Sequence, residues 1–494
     1  MITNLKKRGD IKAFSSSEIA FSRVGIGFEK LDRAVFDPEK AYDKVAALGV
    51  KWVRIQSGWQ RTETEKGIYH FEWLELIVDN LLKRGLVPWV CLCYGNELYD
   101  ETAAKRFGGV GCPPIKTKEQ RSAWHNYVKE VVHHFKDKVT WWEIWNEPDC
   151  AFSWNYMNNA KEYGEFAKDT SSAIRAGSEK AKVIGGAFAS SCVTFLKNAF
   201  ETGMAKTCDA ISFHIYSADE SLDEVRIRNL KAMIKMYNPE LKLIQGESGC
   251  QSRHDGCGAL AGQAWTPEKQ AKSLSRHIIS QLGHDVMFSS YFSSMDMIEA
   301  LNGKVGDKAS YLDYGYFGVL AADFDENGFS TGNYTPKLSY RSLQVIASIF
   351  REEFSVEDIP VESIESLTPR YGSCYRGETL QDCYYQGFRK PNGSAGLVYW
   401  KKGNTLRETF EGCITIKISS VPRGNVCLVD MIDGVIYELN SEDILENPKW
   451  VEDPDDGLWK DIAFPEEDPD GSIVMCRNLP LFDRPLLLCF GDFL

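Results

Sequence analysis

An α/β fold is expected of this chain: a closed (β/α)8 TIM barrel followed by a C-terminal all-β, sandwich-like accessory domain. From about residue 23 to 350, short β-rich apolar runs alternate with longer segments of helical period, the signature of βα units around a parallel sheet. Eight such runs can be counted, the number that closes a barrel of this kind. Beyond a helix predicted over 336–350, the pattern changes to short strands broken by turns, with no long amphipathic helix. The boundaries expected are an N-terminal extension over 1–22, with packing on the β domain as one option, the barrel over 23–351 and the β domain over 352–494.

The eight runs begin near Arg23 (Val-Gly-Ile-Gly-Phe), Lys51, Leu86, Val139, Lys182, Asp209, Leu241 and Val286. Helix signals fall between them. Thr117 with Gln120 and Asn159 with Glu162 read as N-caps with a polar partner three residues on, Thr266-Pro267 places proline at a first helical position, and Gly85 reads as a C′ glycine after 71–84. In the β domain the strand-like runs are 396–401, 413–419, 425–429, 435–439 and 481–490, and Asp433-Gly434 is a hairpin signal. There is no internal repeat, low-complexity tract or flexible linker, so the two domains are expected to pack closely, with the β domain bracing the barrel.

Charge excludes some partners. With 57 basic against 70 acidic residues the net charge is −13, which repels phosphate backbones, so no nucleic-acid partner is expected. The first twenty residues hold no secretory apolar segment, and no uncharged apolar run approaches the ~18 residues of a membrane span. A soluble, cytoplasmic protein follows as the expectation, with a homo-oligomer left open. The 14 cysteines include no CxxC pair, and Cys91, Cys93, Cys192 and Cys208 lie in apolar runs, so reduced buried thiols are expected, with a Cys250–Cys257 bridge as the lesser alternative. The 8 histidines are scattered, and the adjacent His133 and His134 point about 100° apart on a helix, so no metal and no organic cofactor are expected.

The chemistry lies at the strand ends. Trp-Asn-Glu-Pro at 145–148 closes one apolar run and Glu247 closes another. Two glutamates on separate strand ends fit acid-catalysed glycosidic cleavage, in which one carboxyl protonates the leaving oxygen and the other attacks the sugar carbon. In a barrel the site forms at the carboxyl ends of the strands, which brings Arg54, Glu147, His214, Tyr216 and Glu247 to one face. Glu143, Trp145 and Glu147 read as one face of the fourth barrel strand, and at ~3.3 Å per residue Glu143 lies roughly 13 Å from Glu147, too far to pair with it. Glu143 is instead expected to be a core acid balanced by Arg54.

Trp142-Glu-Ile-Trp-Asn-Glu-Pro-Asp149 resembles the clan A glycoside hydrolases, and especially glycoside hydrolase family 39, a group that includes β-xylosidases; Tyr94-Gly-Asn-Glu-Leu-Tyr-Asp100 is similar to a segment of that family. The resemblance covers about residues 20–350. It implies a retaining barrel enzyme with Glu147 as acid/base, Glu247 as nucleophile and Asn146 as partner of the sugar 2-hydroxyl. His214 and Tyr216 match the His-x-Tyr of the sixth strand, where the tyrosine orients the nucleophile. One departure is at the eighth strand, where many clan members have a tryptophan floor and this chain offers Tyr291 and Phe292.

The physical requirements run parallel. Glu147 must stay protonated, which an apolar pocket and a nearby anion favour, and Glu247 must be ionised, which Arg54 or Tyr216 favours. Core roles are the competing readings for Arg54, His214 and Tyr216. Sugars present apolar faces to aromatic rings, so Trp59, Trp154 and Trp265, in loops after strands two, four and seven, are candidate stacking platforms, with loop packing as the alternative. Asn96 is the polar candidate of the 94–100 segment; Trp141 and Trp142 are assigned to the core, Trp52 beneath the helices. The insert over 95–116 is expected to shape one wall. The resulting expectation is a retaining, exo-acting glycosidase using double displacement on β-linked, or configurationally equivalent, oligosaccharides or glycosides of the xyloside, arabinoside, galactoside or glucoside class. An endo-acting glycanase of the same clan, an inverting enzyme and a catalytically silent carbohydrate-binding barrel are the alternatives.

Overall fold

A computed structural model describes residues 2, 4–154, 159–190, 193–300, 313–366, 383–406, 409–446 and 473–494. The chain divides into two units, 13–340 and 1–12 with 341–494. The first strand, β1 (Lys6–Asp10), belongs to the second of these.

Unit 13–340 is a closed barrel of eight parallel strands, as expected: β2 (Val24–Gly27), β3 (Trp52–Gln56), β4 (Val87–Leu92), β5 (Trp141–Ile144), β6 (Lys182–Phe188), β7 (Ala210–Ile215), β8 (Lys242–Ser248) and β9 (Ser289–Tyr291). Near-continuous burial along β2, β4, β7 and β8 reflects strands covered on both faces. Low in the barrel, Trp89, Ile184, Ala210, Ile244 and Phe288 form an apolar layer, with Trp52 and Trp141 packed against it. Trp52 therefore points into the barrel rather than beneath the helices. Side chains alternate along a strand, so Trp52 must share the inward face of Arg54, and its ring stacks on Phe288 with centroids 4.5 Å apart.

The helices α1 (Tyr42–Ala46), α2 (Trp59–Thr62), α3 (Glu72–Lys83), α4 (Lys118–His134), α5 (Ala160–Gly177), α6 (Val193–Phe200), α7 (Ser221–Tyr237) and α8 (Pro267–Gly283) lie between the strands. In α3, Leu74, Ile77, Val78 and Leu81 are buried at helical spacing. Its end is set by Gly85, whose φ of +75° suits the left-handed C′ position. Thr117 and Gln120 form a reciprocal capping box on α4, the Asn159 side chain accepts from Lys161 N and Glu162 N on α5, and Thr266 accepts from Lys269 N on α8.

The other unit contains two antiparallel sheets. One orders β1, Val435–Glu438, Val426–Asp430, Leu486–Phe490, Ala395–Lys401, Cys383–Arg389 and Ser355–Glu357; the other orders Val361–Ser366, Glu411–Ile418, Val474–Phe482 and Ile444–Glu446. Leu397, Tyr399, Leu428 and Leu488 of the first share a core with Ile414, Ile416 and Leu479 of the second, which makes a sandwich. The Asp433-Gly434 turn forms, with Gly434 at φ +78°. The single run expected over 481–490 is instead two strands, because Pro485 lies in the turn between them and has no N–H to pair.

Cys91, Cys93 and Cys208 are buried free thiols, no disulfide joins Cys250 to Cys257, and Cys192 lies outside the described residues. No helix among the described residues is long and apolar enough to cross a membrane.

Candidate active site

A register shift places Glu247. Strands β7 and β8 pair Ser212 with Ile244 and Phe213 with Gln245, then His214 with Glu247, so Gly246 is an extra residue. Strict alternation from the inward Ile244 would turn residue 246 inward and Glu247 out among the helices; the bulge reverses this. Glycine is required at the bulge, because a Cβ on residue 246 would lie 2.5 Å from Ser212 Oγ and 3.2 Å from His214 Nε2.

Backbone strain places Glu147. After β5 ends at Ile144, Trp145 adopts φ 65° and Glu147 φ 52°, left-handed values unusual for residues with a Cβ. Trp145 therefore leaves the face of Glu143, contrary to the alternation read from sequence, and packs against Trp124, Trp154 and Phe166. Asn146 and Glu147 turn into the barrel mouth. Glu147 N donates to Ala187 O at 2.9 Å, and Asp149 accepts from Ala189 N and Ser190 N, tying this loop to the end of β6.

Arg54 joins the pieces. Fully buried, it donates from Nε and Nη2 to Glu143 Oε2 at 2.8 and 2.6 Å, from Nη2 to Asn146 Oδ1 at 2.8 Å, and from Nη1 to Glu247 Oε1. The same Nη1 lies 3.4 Å from Glu29 Oε1. The hydroxyl of Tyr216 donates to Glu247 Oε2 at 2.7 Å. His214 Nδ1 lies 3.0 Å from Glu147 Oε1 and 3.6 Å from Glu247 Oε2.

These contacts divide the carboxyls electrostatically. Burial raises the Glu147 pKa, against the pull of His214 and with help from the negative charge of Glu247. Glu247 is also opposed by burial, yet His214, Arg54, the Tyr216 hydroxyl and Lys30 together hold it below its ordinary value. His214 is raised, because the two carboxylates outweigh its burial. Glu29 is pushed up to about 8, chiefly by burial, with Arg54 opposing and Glu247 adding. One ligand atom each from Glu147, His214 and Glu247 lie within 4.8 Å of one another, a set that could also hold a metal ion.

A cavity of about 420 Å³ opens over this group. Asn146, Glu147, Tyr216 and Glu247 line it; Arg54 and His214 lie buried beneath. Toward Glu247 the wall is made by Glu29, by the Lys30–Glu299 ion pair at 2.9 Å, and by Phe292 and Phe317, whose rings pack edge to face at 5.5 Å. Toward Glu147 lie Phe152, Phe107, Val110, Lys105 and Arg106, the last four from the insert that was expected to form a wall.

Five candidates lie elsewhere. Trp59 is fully buried against Tyr99, Trp124 and Tyr127, its indole N–H donating to Glu63 at 2.6 Å. Trp154 is fully buried against Trp145, Tyr163 and Phe166, and Trp265 donates to Leu260 O at 3.1 Å with 2% exposure. Each fills a seam between loop and helix rather than offering a sugar platform. Asn96 spends its amide on Glu63 O at 2.8 Å and its oxygen on Leu98 N at 2.9 Å, shaping its own loop. Tyr291 points its hydroxyl at Cys250 O, 3.4 Å away, and its neighbour Phe292 faces the cavity instead.

Sequence reasoning missed Glu29, Lys30, Glu299, Phe152 and Phe317. A signal existed for Glu29: the apolar run 24–28 ends on an acid, as does the run ending at Glu247.

A sequence model of the family described as Glycosyl hydrolases family 39 matches residues 35–245. Similar folds include a family 39 glycoside hydrolase from the gut symbiont Bacteroides cellulosilyticus WH2, at 18% identity and TM-score 0.60, covering 95% of this chain and 81% of that one. A family 39 enzyme from Xanthomonas axonopodis pv. citri matches at 14% identity and TM-score 0.58, covering 95% and 94%. A family 39 β-xylosidase from Caulobacter crescentus matches at 16% identity and TM-score 0.53, covering 99% of each chain. Taken together, the family match and the shared fold support a glycosidase.

Proposed function

We propose that this chain, most like glycoside hydrolase family 39 in sequence and fold, is a retaining glycosidase that works by double displacement. The observation that carries the reading is the approach of a Glu147 oxygen and a Glu247 oxygen to within 4.8 Å beneath one cavity, with their pKa values moved in opposite directions. Retaining pairs stand about 5–5.5 Å apart, whereas inverting pairs leave about 6.5–9.5 Å for a water. In the first step the Glu247 carboxylate attacks the anomeric carbon while Glu147 gives its proton to the departing oxygen. In the second, the Glu147 carboxylate takes a proton from water, which displaces Glu247 from the sugar. Arg54 and Tyr216 keep the nucleophile ionised and oriented, and Asn146, held by Arg54, meets the sugar 2-hydroxyl.

The cavity supports exo action on a β-linked glycone of the xyloside class. Its Glu247 end is walled by Lys30–Glu299 and by Phe292 and Phe317, so one sugar ring meets polar groups along an edge and rings on a face. The test is a screen of aryl β-glycosides of xylose, arabinose, galactose, glucose and fucose, with the first-formed anomer read by proton NMR. Turnover with retained configuration is expected. An inverted product would overturn double displacement, and binding of sugars without turnover of any glycoside would leave a silent carbohydrate-binding barrel.

A further inference from the structure

We propose that the Glu147 end of the cavity is an aglycone subsite for a leaving group that carries a carboxylate beside an apolar face. The inference rests on the glycosidase reading, which fixes direction: the departing oxygen takes its proton from Glu147, so whatever is attached to it lies on that side. The groups there are Phe152, four residues beyond Pro148, together with Lys105, Arg106 and Phe107 of the insert.

Phe152 is 44% exposed, and of the exposed large apolar side chains among the described residues it is the one that lines the cavity. An aromatic ring left open to water at a cleft mouth costs burial energy, which a bound apolar face would recover. The backbone that carries the ring is also held. The Trp145 indole donates to Ser153 O at 2.9 Å, Arg106 Nη1 donates to Phe152 O at 3.1 Å, and the Arg106 guanidinium lies 5.8 Å from the ring centroid. Such a platform is in place before a ligand arrives.

Charge adds the second half of the specificity. The chain carries a net −13, yet this wall gathers Lys105 and Arg106, while behind Phe107 Arg33 is paired with Asp32 at 3.3 Å. Lys105 is exposed on a short helical turn beside the cavity. On the reacting side, burial raises the Glu147 carboxyl toward its neutral form. An anion on the leaving group is therefore attracted to this end, and a carboxylate accepts well from lysine and arginine. Two sources carry that chemistry, a sugar uronate and a phenolic acid.

The test uses the glycone that the wild type cleaves best as an aryl glycoside. Its 4-carboxyphenyl glycoside is compared with the methyl ester, whose phenolate is the better leaving group, so intrinsic reactivity favours the ester. The wild type is expected to prefer the acid by about fivefold in kcat/KM at low salt, with the preference shrinking in about 0.5 M NaCl. Lys105→Gln should bring the ratio toward one, and Phe152→Ala should raise KM for both glycosides by roughly three- to tenfold. Disaccharides ending in a uronate or its methyl ester form a second arm: a larger acid-to-ester ratio there assigns the subsite to sugar uronates, a larger one in the aryl pair to phenolic acids. A wild-type ratio at or below one in both arms, unmoved by Lys105→Gln, overturns the subsite and leaves the glycosidase standing. Failure of the wild type to cleave any aryl glycoside overturns both.

Discussion

Nδ1 of His214 lies 3.0 Å from Oε1 of Glu147, and the same nitrogen lies 3.6 Å from Oε2 of Glu247. One ring atom thus borders both carboxyls. In the proposed mechanism, the carboxylate left when Glu147 gives up its proton would arise beside an imidazole whose pKa is raised by the two carboxylates. The charge that this step would place on Glu147 would then be met without rearrangement.

The two glutamates should separate by role. Glu247→Ala is expected to lose at least about a thousandfold on every substrate, because no covalent intermediate can form. Glu147→Ala should lose about 10²–10⁴-fold on natural saccharides but keep fast glycosylation of activated aryl glycosides, whose leaving groups need little protonation, and azide should rescue it with retained product. Steady-state and burst kinetics on both substrate types measure the difference; wild-type rates of Glu147→Ala on saccharides would remove it as the acid.

Arg54 should control the acidic limb of the pH profile. Glu247 is held low and Glu147 high, so kcat/KM is expected to be bell-shaped, rising as Glu247 ionises and falling as Glu147 deprotonates. Arg54→Lys keeps a charge but loses the fork that reaches Glu143, Asn146 and Glu247 together, so the acidic limb should move to higher pH. Arg54→Leu leaves the fully buried Glu143 without its cation and should cost about 3–5 kcal/mol in denaturant unfolding.

Glu29 should make stability fall with rising pH. Its folded value of about 8 lies above its ordinary 4.5, so between these limits the folded chain keeps a proton that the unfolded chain has released. The stabilisation is complete below the lower value and lost as pH passes the upper one. Glu29→Gln lacks this term, so its Tm relative to wild type should improve from about pH 5 to about pH 9. An equal difference at both ends would mean that Glu29 titrates normally.

Gly246→Ala tests the bulge. The added methyl would meet Ser212 Oγ at 2.5 Å and press on His214, displacing the ring that borders both glutamates. Overpacking of this kind costs about 1–3 kcal/mol, while a shift near 1 Å at the reacting groups costs about a hundredfold in rate. The expected result is a chain that melts a few degrees lower but loses most of its kcat. Wild-type kcat would show that the strand ends tolerate a side chain there.

The architecture was legible because burial repeats: eight apolar runs with helical segments between them leave few solutions. Glu147, Glu247, Arg54, His214 and Tyr216 were legible for a related reason, since strand ends of a barrel share a rim. What the sequence hid depends on single backbone angles and on loops. Nothing in the letters marks Trp145 as left-handed, so its face was misread. Trp59 and Trp154 follow strands, as a platform would, but α4 presents Trp124, Tyr127 and Val128 on one buried stripe, and that stripe needs aromatic partners. Lys30, Glu299, Phe152 and Phe317 lie beyond strand ends, where no period betrays direction.

The inserted glycine of β8 also changes what counts as a neighbouring design. Gln245 and Glu247 stand two positions apart, and only the location of one unpaired residue decides which set of side chains faces the substrate. Sliding that irregularity along the strand would present a different side chain at the same rim position while every letter stayed unchanged. Catalytic novelty in such a barrel is therefore reachable through indels as well as through substitutions, and a one-residue gap at this strand end carries as much chemical information as a mutated glutamate.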